Sequence, residues 1–220
     1  MTLHDQIVQI AREARRASDS LAHVSTDRKN AALLAMADAL LARQAHLIAE
    51  NARDLEAARE KGLPAAMIDR LTLKEQTLAG IAHGLREVAA LPDPVGKVTG
   101  MWRRPNGLLV GRMRIPLGVI GIIYESRPNV TADAAALCLK SGNAVILRGG
   151  SEAIHSNLAI AACLTDVLGA HGLPEAAIQV IPLTDREAVH EMLQLDEWID
   201  LIIPRGGEDL IRAVVSQSRI

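Results

Sequence analysis

Two glycine-rich turns are the stretches of this sequence whose residue types best suit phosphate binding. Arg148–Ser151 and Pro204–Gly207 each place an arginine and a Gly-Gly pair between an apolar run and a helix-compatible segment. Glycine lets backbone N–H groups approach a ligand, and a helix N-terminus carries partial positive charge. Neither turn matches the G-x-G-x-x-G dinucleotide fingerprint or the G-x-x-x-x-G-K-[ST] phosphate loop. Together they indicate a ligand with several phosphates.

Two polar residues follow the apolar run Val119–Tyr124. The amide of Asn129 could donate to a developing oxyanion, or the residue could simply cap the following helix. The guanidinium of Arg127 could clamp a carboxylate or phosphate, or form a plain ion pair with Glu125. The residues alone leave both alternatives open at each position.

The other reactive side chains form no recognisable site. Cys138 and Cys163 fall inside predicted helices without C-x-x-C spacing, which indicates small core residues rather than a disulfide or a zinc site. The seven histidines never pair at helical ligand spacing. No metal site is expected.

Composition limits the classes of function. Basic and acidic side chains number 24 and 26, a formal net charge of -2, which argues against nucleic acid or an anionic membrane as partner. Two Trp, one Tyr and no Phe leave no platforms for stacking bases. No apolar run approaches the ~20 residues that span a bilayer, and no signal-peptide core is found. We expect a cytoplasmic protein.

The segments around the two turns alternate between buried strands and helices. Continuous apolar runs predict parallel strands at Val119–Tyr124, Ala144–Leu147, Ile178–Ile181 and Ile199–Ile203. Helix-compatible segments follow them at 130–141, 152–168, 184–195 and 208–216. Ligands of open α/β sheets bind beyond the carboxyl ends of the strands, so the residues after the first two strands should face one site. The sequence thus predicts an α/β fold with a parallel Rossmann-like sheet.

Residues 3 to about 90 are predicted to form a helical layer without site chemistry. Ser25-Thr26-Asp27 should cap a long helix whose apolar stripe continues toward Leu55, and Gly62 suits a left-handed helix stop. Capping boxes are expected at Thr2 with Asp5, Thr72 with Glu75 and Thr184 with Glu187.

Between Val95 and Arg114 the pattern changes to a projecting β-hairpin. Asn106-Gly107 is a preferred centre for a type I′ turn. The hairpin contains Arg103, Arg104, Arg112 and Arg114 and no acid. These arginines could mark a binding surface or charged strand edges that discourage aggregation, and the residues alone favour the second.

Three segments carry a resemblance to a known family. They read P-L-G-V-I-G-I-I-Y-E-S-R-P-N-V-T from Pro116, L-C-L-K-S-G-N-A-V-I-L-R-G-G-S-E from Leu137 and I-D-L-I-I-P-R-G-G from Ile199. They closely resemble the glutamate-5-semialdehyde dehydrogenase family, also called gamma-glutamyl phosphate reductases. This is the proline-biosynthesis branch of the aldehyde dehydrogenase superfamily. N-A-R-D-L at 51–55 and L-P-D-P-V-G at 91–96 extend the likeness over the whole chain.

The resemblance implies a fold of the aldehyde dehydrogenase type and an NADPH-dependent reduction of gamma-glutamyl phosphate to glutamate 5-semialdehyde and phosphate through a cysteine thioester. It implies three parts: a helical part at 1–94, an oligomerisation-type hairpin at 95–116 and a βα-repeat NADP-binding part at 117–220. The homo-oligomer would form through hairpin residues 97–115. On the resemblance, a role of the hairpin arginines in oligomerisation is preferred to the protection of strand edges.

The same resemblance assigns site residues. Asn129 becomes the oxyanion donor and Arg127 a substrate contact. Arg148 replaces a lysine that contacts the adenosine ribose, and with Ser151 it suits the 2′-phosphate of NADP(H). Gly149, Gly206 and Gly207 are implied cofactor contacts, the last two against the pyrophosphate.

The chain also departs from the family pattern. The superfamily glycine after the third strand is replaced near Leu183-Thr184. The chain stops roughly halfway through the family's length, and neither Cys138 nor Cys163 sits at the catalytic position. We therefore expect a cofactor-binding half, without the catalytic domain and inactive alone. The alternative is a non-catalytic nucleotide-binding or assembly module that pairs through the hairpin.

Overall fold

The computed structural model describes residues 2–220, and these form nine α-helices and six β-strands. The helices are α1 Leu3–Leu21, α2 Thr26–Ala42, α3 Gln44–Glu60, α4 Ala65–Leu71, α5 Glu75–Ala90, α6 Asn129–Lys140, α7 Ile154–Ala170, α8 Arg186–Leu193 and α9 Glu208–Gln217. The strands are β1 Val98–Arg103, β2 Leu109–Met113, β3 Val119–Tyr124, β4 Ala144–Arg148, β5 Ile178–Val180 and β6 Leu201–Arg205. Short 3₁₀ turns lie at Ser151–Ala153 and Glu175–Ala177.

Four parallel strands form the central sheet in the order β5-β4-β3-β6. All six residues of β3 are buried, as its continuous apolar run predicts. The last strand begins two residues later than predicted, because Trp198 and Ile199 still donate their backbone N–H groups to Leu195 in the preceding turn. The α/β fold with a parallel sheet is confirmed.

Helices cover both faces of this sheet. The chain moves outward along the sheet from β3 through β4 to β5 and then crosses back to β6 on the other side of β3. Right-handed crossovers therefore put α6 and α7 on one face of the sheet and α8 on the other. α1 packs beside α8 and against the strands, while α2, α3 and α5 form a further layer over α6 and α7. By length and composition Ser151–Ala170 could cross a membrane, but half of it is buried, as in a core helix.

The predicted long second helix is wrong. Its backbone leaves helical geometry at Arg43, and the axes of α2 and α3 differ by 69°. The Arg43 guanidinium pairs with Asp166 of α7 at 2.6 Å. α2 therefore packs along α5 and also contacts α7, whereas α3 turns away from α5 and packs along α7.

Local capping signals had mixed outcomes. Thr2 and Asp5 form the expected reciprocal capping box, and Ser25 caps α2. The box at Thr72 is wrong, because its hydroxyl donates backward to the carbonyl of Ile68 and α5 starts later. The box at Thr184 is also wrong, since α8 begins at Arg186 without a side-chain cap.

β1 and β2 pair as the expected antiparallel hairpin, but the turn differs. A type I′ turn needs positive φ at both central residues, and within residues 2–220 only glycines adopt positive φ. Arg104 instead pairs with Leu108 around a three-residue loop in which Gly107 has a φ of +87°. Proline at position 105 and Asn106 form the turn centre, which proline's fixed φ favours.

A buried charge cluster joins α2, α5 and α6. The Lys29 ammonium is 1% exposed and lies 2.6 Å from the Asp93 carboxylate, and it also donates to the carbonyl of Lys140. The Lys140 ammonium donates to Asn30 and Ala89. Burial alone would raise the pKa of Asp93, but hydrogen bonds from Lys29, Thr26 and the Val95 N–H outweigh it and lower that pKa.

We expect Asp93→Asn to lower the free energy of unfolding by about 3 kcal/mol or more at pH 7, because it leaves the Lys29 charge buried and unpaired. The carboxylate stabilises the fold above the usual Asp pKa of 3.8. That contribution is lost as the pH falls through the lowered pKa of the folded state. Urea unfolding of the unaltered chain and of Asp93→Asn, at pH 7 and at a pH below the lowered pKa of Asp93, measures how much stability the carboxylate contributes at each pH.

Asp38→Asn is the matched control, because it breaks an exposed pair with Arg86. It should cost less than about 1 kcal/mol. Equal losses for the two variants at pH 7 would contradict the role given to Asp93.

Candidate functional site

The carboxyl ends of β3, β4 and β6 meet at one edge of the sheet. Ile123 pairs with Arg148 and Tyr124 pairs with Arg205, so the segments after these strands leave the sheet at the same level. A pocket of about 260 Å³ opens there between β3 and β6. The segment 125–127 and Gly206 of the second glycine-rich turn line this pocket. The first turn leaves the sheet at the same edge, but its Ser151 lines a separate cavity together with Thr184.

Asn129 is the first residue of α6 and does not cap it. Its side-chain amide donates to Asp133 one turn later, at 3.0 Å. Burial raises the pKa of Asp133, although this hydrogen bond and the charge of Arg205 oppose the shift. An amide has a second N–H, so Asn129 keeps one donor for a ligand. The capping alternative does not describe the structure.

Arg127 and Glu125 do not form the ion pair that was one alternative for them. Among residues 2–220, Arg127 has no carboxylate within ion-pair distance. The Glu125 carboxylate instead accepts the backbone N–H of Gly207, at 3.2 and 3.3 Å. Arg127 is exposed and lines the pocket. The structure thus leaves its guanidinium available for an anion.

Arg148 is largely buried at the end of β4. Its guanidinium donates to the carbonyls of Gly149 and Thr184, at 2.6 and 2.8 Å, and so ties the loop after β5 to the turn after β4. Burial lowers the pKa of Arg148, although Glu152 and Tyr124 oppose the shift. Its Nε is buried without a partner. Arg148 therefore positions the loop at Thr184 and Asp185.

The N-terminus of α7, directly after the first glycine-rich turn, is already capped by a buried carboxylate. Asp54 of α3 accepts the backbone N–H groups of His155 and Ser156 and the Ser156 hydroxyl. Asn51, one turn earlier on α3, holds the same hydroxyl and the carbonyl of Leu71. This end of α7 therefore does not offer its dipole to a phosphate.

The second turn is different. α9 has no side-chain cap, and of its flanking amides only that of Gly207 meets a carboxylate, from Glu125. Its first amides have no partner among the described residues and are free to meet a diphosphate, and the same turn carries the exposed acids Glu208 and Asp209. A Cβ on Gly207 would have room, whereas one on Gly206 would press on Glu125 and Leu210. The residues here fit a dinucleotide cofactor with its diphosphate at α9.

The first turn holds its shape through a buried polar chain. The Tyr124 hydroxyl forms a hydrogen bond with the Thr131 hydroxyl at 2.7 Å, and the Thr131 hydroxyl donates to the amide oxygen of Asn157 at 3.0 Å. Burial raises the pKa of Tyr124 to about 12. The Asn157 Nδ2 has no partner and points at Gly149, where a Cβ would collide with it. Glycine is needed at 149 for this packing.

Glu152 closes the remaining side of the turn. Its carboxylate accepts the Ser126 hydroxyl and lies against Gly150, where a side chain would meet it. Ser151 is exposed, 3.5 Å from the same carboxylate. The predicted 2′-phosphate contact at Ser151 thus has an acid next to it.

Neither cysteine lies in the 260 Å³ pocket. Both are buried, as expected for small core residues. Burial raises the pKa of Cys138 to about 12 and also raises that of Cys163. A thiol of this kind is a poor nucleophile, because the thiolate is the reactive form.

Several site residues escaped the sequence reasoning. Arg70 of α4 lines the pocket, although it is 54 positions from its nearest lining neighbour in the sequence, Tyr124. Asp54 caps a helix about a hundred residues later. The N-A-R-D-L segment that contains Asp54 and Asn51 was a signal for both, but it served only as a mark of resemblance.

The fold and the site define a class of protein. The aldehyde dehydrogenase family matches residues 2–219. The chain belongs to this family, whose members generally use nicotinamide cofactors.

Within the family, the resemblance to gamma-glutamyl phosphate reductases is confirmed. The enzyme of Citrifermentans bemidjiense is 63% identical over 220 residues, 100% of this chain and 53% of that protein. The crystal structure of the Thermotoga maritima enzyme matches with a TM-score of 0.95 and 41% identity, over 97% of this chain and 52% of that one. The Saccharomyces cerevisiae structure gives 0.89 and 34%, over 96% and 54%. The chain spans about half the length of these relatives.

We expect Gly149→Ala to lower the free energy of unfolding by about 1–3 kcal/mol, because the new Cβ would collide with Asn157 and come within 3.0 Å of the Tyr124 ring. Gly80→Ala is the control, since its Cβ would point into open space on α5. That variant should be more stable by roughly 0.5–1 kcal/mol. Urea unfolding followed by circular dichroism measures both, and the same sign for the two would refute the packing argument.

Proposed function

We propose that this chain is the cofactor-binding part of a cytoplasmic gamma-glutamyl phosphate reductase, which reduces gamma-glutamyl phosphate with NADPH to glutamate 5-semialdehyde and phosphate. The observation that carries the proposal is the 63% identity over all 220 residues with a curated enzyme of that activity. The convergence of Asn129, Arg148 and the α9 N-terminus at one sheet edge supports it, because each can hold a charge of the substrate or cofactor.

Each residue has a defined task in this proposal. The free N–H of Asn129 donates to the carbonyl oxygen of the acyl group, where negative charge develops when the acyl carbon is attacked. The α9 N-terminus with Gly206 and Gly207 binds the cofactor diphosphate. Arg148 holds the loop at Thr184 and adds positive charge near the adenosine ribose. The bound nicotinamide supplies the hydride.

The proposed reaction passes through a thioester with a cysteine thiolate. Asn129, Arg148 and the α9 N-terminus do not supply that thiolate. Cys138 and Cys163 are buried and their raised pKa values favour the thiol. We propose that the thiolate comes from the part of the relatives that this chain does not cover. The chain alone should therefore not oxidise glutamate 5-semialdehyde in the presence of phosphate and NADP⁺.

The test is this phosphate-dependent oxidation, followed by nicotinamide absorbance. We expect no activity from the 220-residue chain, and activity when it is mixed with the remaining half of a close relative. The double variant Cys138→Ala with Cys163→Ala should support the same activity in the mixture. Activity of the chain alone that disappears in this double variant would overturn the proposal.

For cofactor selectivity we propose a preference for NADPH, based on the positive charge of Arg148 and the small Ser151 side chain. Ser151→Glu should weaken NADPH binding about tenfold and leave NADH binding nearly unchanged, because a carboxylate would repel the 2′-phosphate. Nicotinamide fluorescence titrations measure both affinities. Ser151→Gln, similar in size but neutral, is the control. Equal titration curves of the unaltered chain with NADPH and NADH would count against the preference.

We also propose that the hairpin binds a second copy of the chain. Met101, Leu109 and Met113 lie on one face of the hairpin, and each is more than half exposed. Such a face is typical of an interface. Arg112 lies on the opposite face, 5.8 Å from the Trp102 ring centre.

We expect Met101→Glu with Leu109→Glu to convert the oligomer to a monomer, because the charges would be buried in the interface. Sedimentation velocity measures the mass. Arg112→Glu, on the other face, should leave the oligomer intact. A wild-type chain that sediments as a monomer would exclude this role of the hairpin.

A further inference from the structure

Three arginines from separate elements line the 260 Å³ pocket at the edge of the sheet. Arg70 lies on α4, Arg127 follows β3 and Arg205 ends β6. In the described part of the chain, none of the three lies within ion-pair distance of a carboxylate. All three are exposed to solvent.

The charge of the lining matches a dianion. Its one acid within residues 2–220 is Glu125, and the Glu125 carboxylate is turned toward the backbone N–H of Gly207. Three positive groups and one negative group leave two units of excess positive charge. Guanidinium forks fit phosphate oxygens in a bidentate manner, which a lysine cannot do.

Arg70 is held in place by its neighbours along the chain. The adjacent Leu71 is fully buried against Ala58 of α3 and Ala153 of the turn after β4. The carbonyl of Leu71 accepts the buried amide of Asn51 at 2.8 Å. Because α4 is anchored in this way, little backbone ordering is required when Arg70 binds an anion.

We propose that Arg70, Arg127 and Arg205 form a binding pocket for a phosphate dianion, and that it receives the phosphate of the acyl-phosphate substrate. This inference rests on the proposed function. Arg127 and Val130, which lie on either side of Asn129 in the chain, both line the pocket, and Asn129 is the residue proposed to hold the oxyanion. Gly206 lines it as well, which makes a cofactor phosphate the other source of the same chemistry.

The test uses inorganic phosphate as the probe and the 220-residue chain. Isothermal titration should show phosphate binding, and saturating NADPH should leave it in place if the pocket belongs to the substrate. Arg70→Ala should weaken phosphate binding about tenfold or more, the usual loss for one charge-assisted hydrogen bond. Arg70→Lys should recover part of this loss. NADPH affinity should not change in either variant.

Arg104→Ala, in the turn of the hairpin, is the matched control and should bind phosphate like the unaltered chain. Circular dichroism shows whether each variant is folded. Absence of phosphate binding, or equal binding by Arg70→Ala, would overturn the inference. Displacement of phosphate by NADPH would assign the pocket to the cofactor and overturn the substrate role.

The two proposals can fail separately. If the mixture with the relative's remaining half is active but its KM for phosphate is unchanged by Arg70→Ala, the pocket is wrong and the function stands. If phosphate binds in an Arg70-dependent manner and the mixture is inactive, the pocket stands and the function is wrong.

Discussion

The candidate site residues that follow the strands of the sheet depend on the register in which β3 pairs with its two neighbours. β3 places Tyr124 opposite Arg205 and Ile123 opposite Arg148, which brings together residues that are 81 and 25 positions apart in the chain. Gly121 helps to fix this register, because a Cβ there would collide with Met192 of α8 and approach Ile202 of β6. A shift by one residue would put a larger side chain in that gap.

The two helix N-termini near the site differ in whether a side chain caps them. The end of α7 is capped by the buried Asp54 and is therefore a structural joint between the helical layer and the sheet. The end of α9 lacks such a cap, and the proposed cofactor diphosphate is assigned to it for that reason. The same local pattern of glycine, glycine and helix thus precedes one capped and one uncapped helix end, and a residue from a distant helix makes the difference.

Predictions from the sequence succeeded where local pattern determines the structure and failed where contacts between distant segments do. The buried strands β3 and β4 follow from continuous apolar runs, whereas β6, which was expected from a similar run, is exposed or half-buried along its length. The bend at Arg43 contains neither glycine nor proline, and the apolar stripe continues through it, so local pattern could not reveal it. The cap from Asp54 and the pocket position of Arg70 arise from tertiary contacts between distant segments. Thr72 shows that even a good local signal fails when its hydroxyl finds another acceptor.

The bend between α2 and α3 also sets the dimensions of the molecule. As one straight helix, Thr26–Glu60 would be about 50 Å long at 1.5 Å per residue. A compact domain of this size has a radius of gyration of about 17 Å, so such a rod would extend beyond it. The 69° turn folds that length back along the body. A segment that would otherwise project into solvent becomes a bracket, and its second arm, α3, packs against α4, α7 and the turn at Ser151–Ala153.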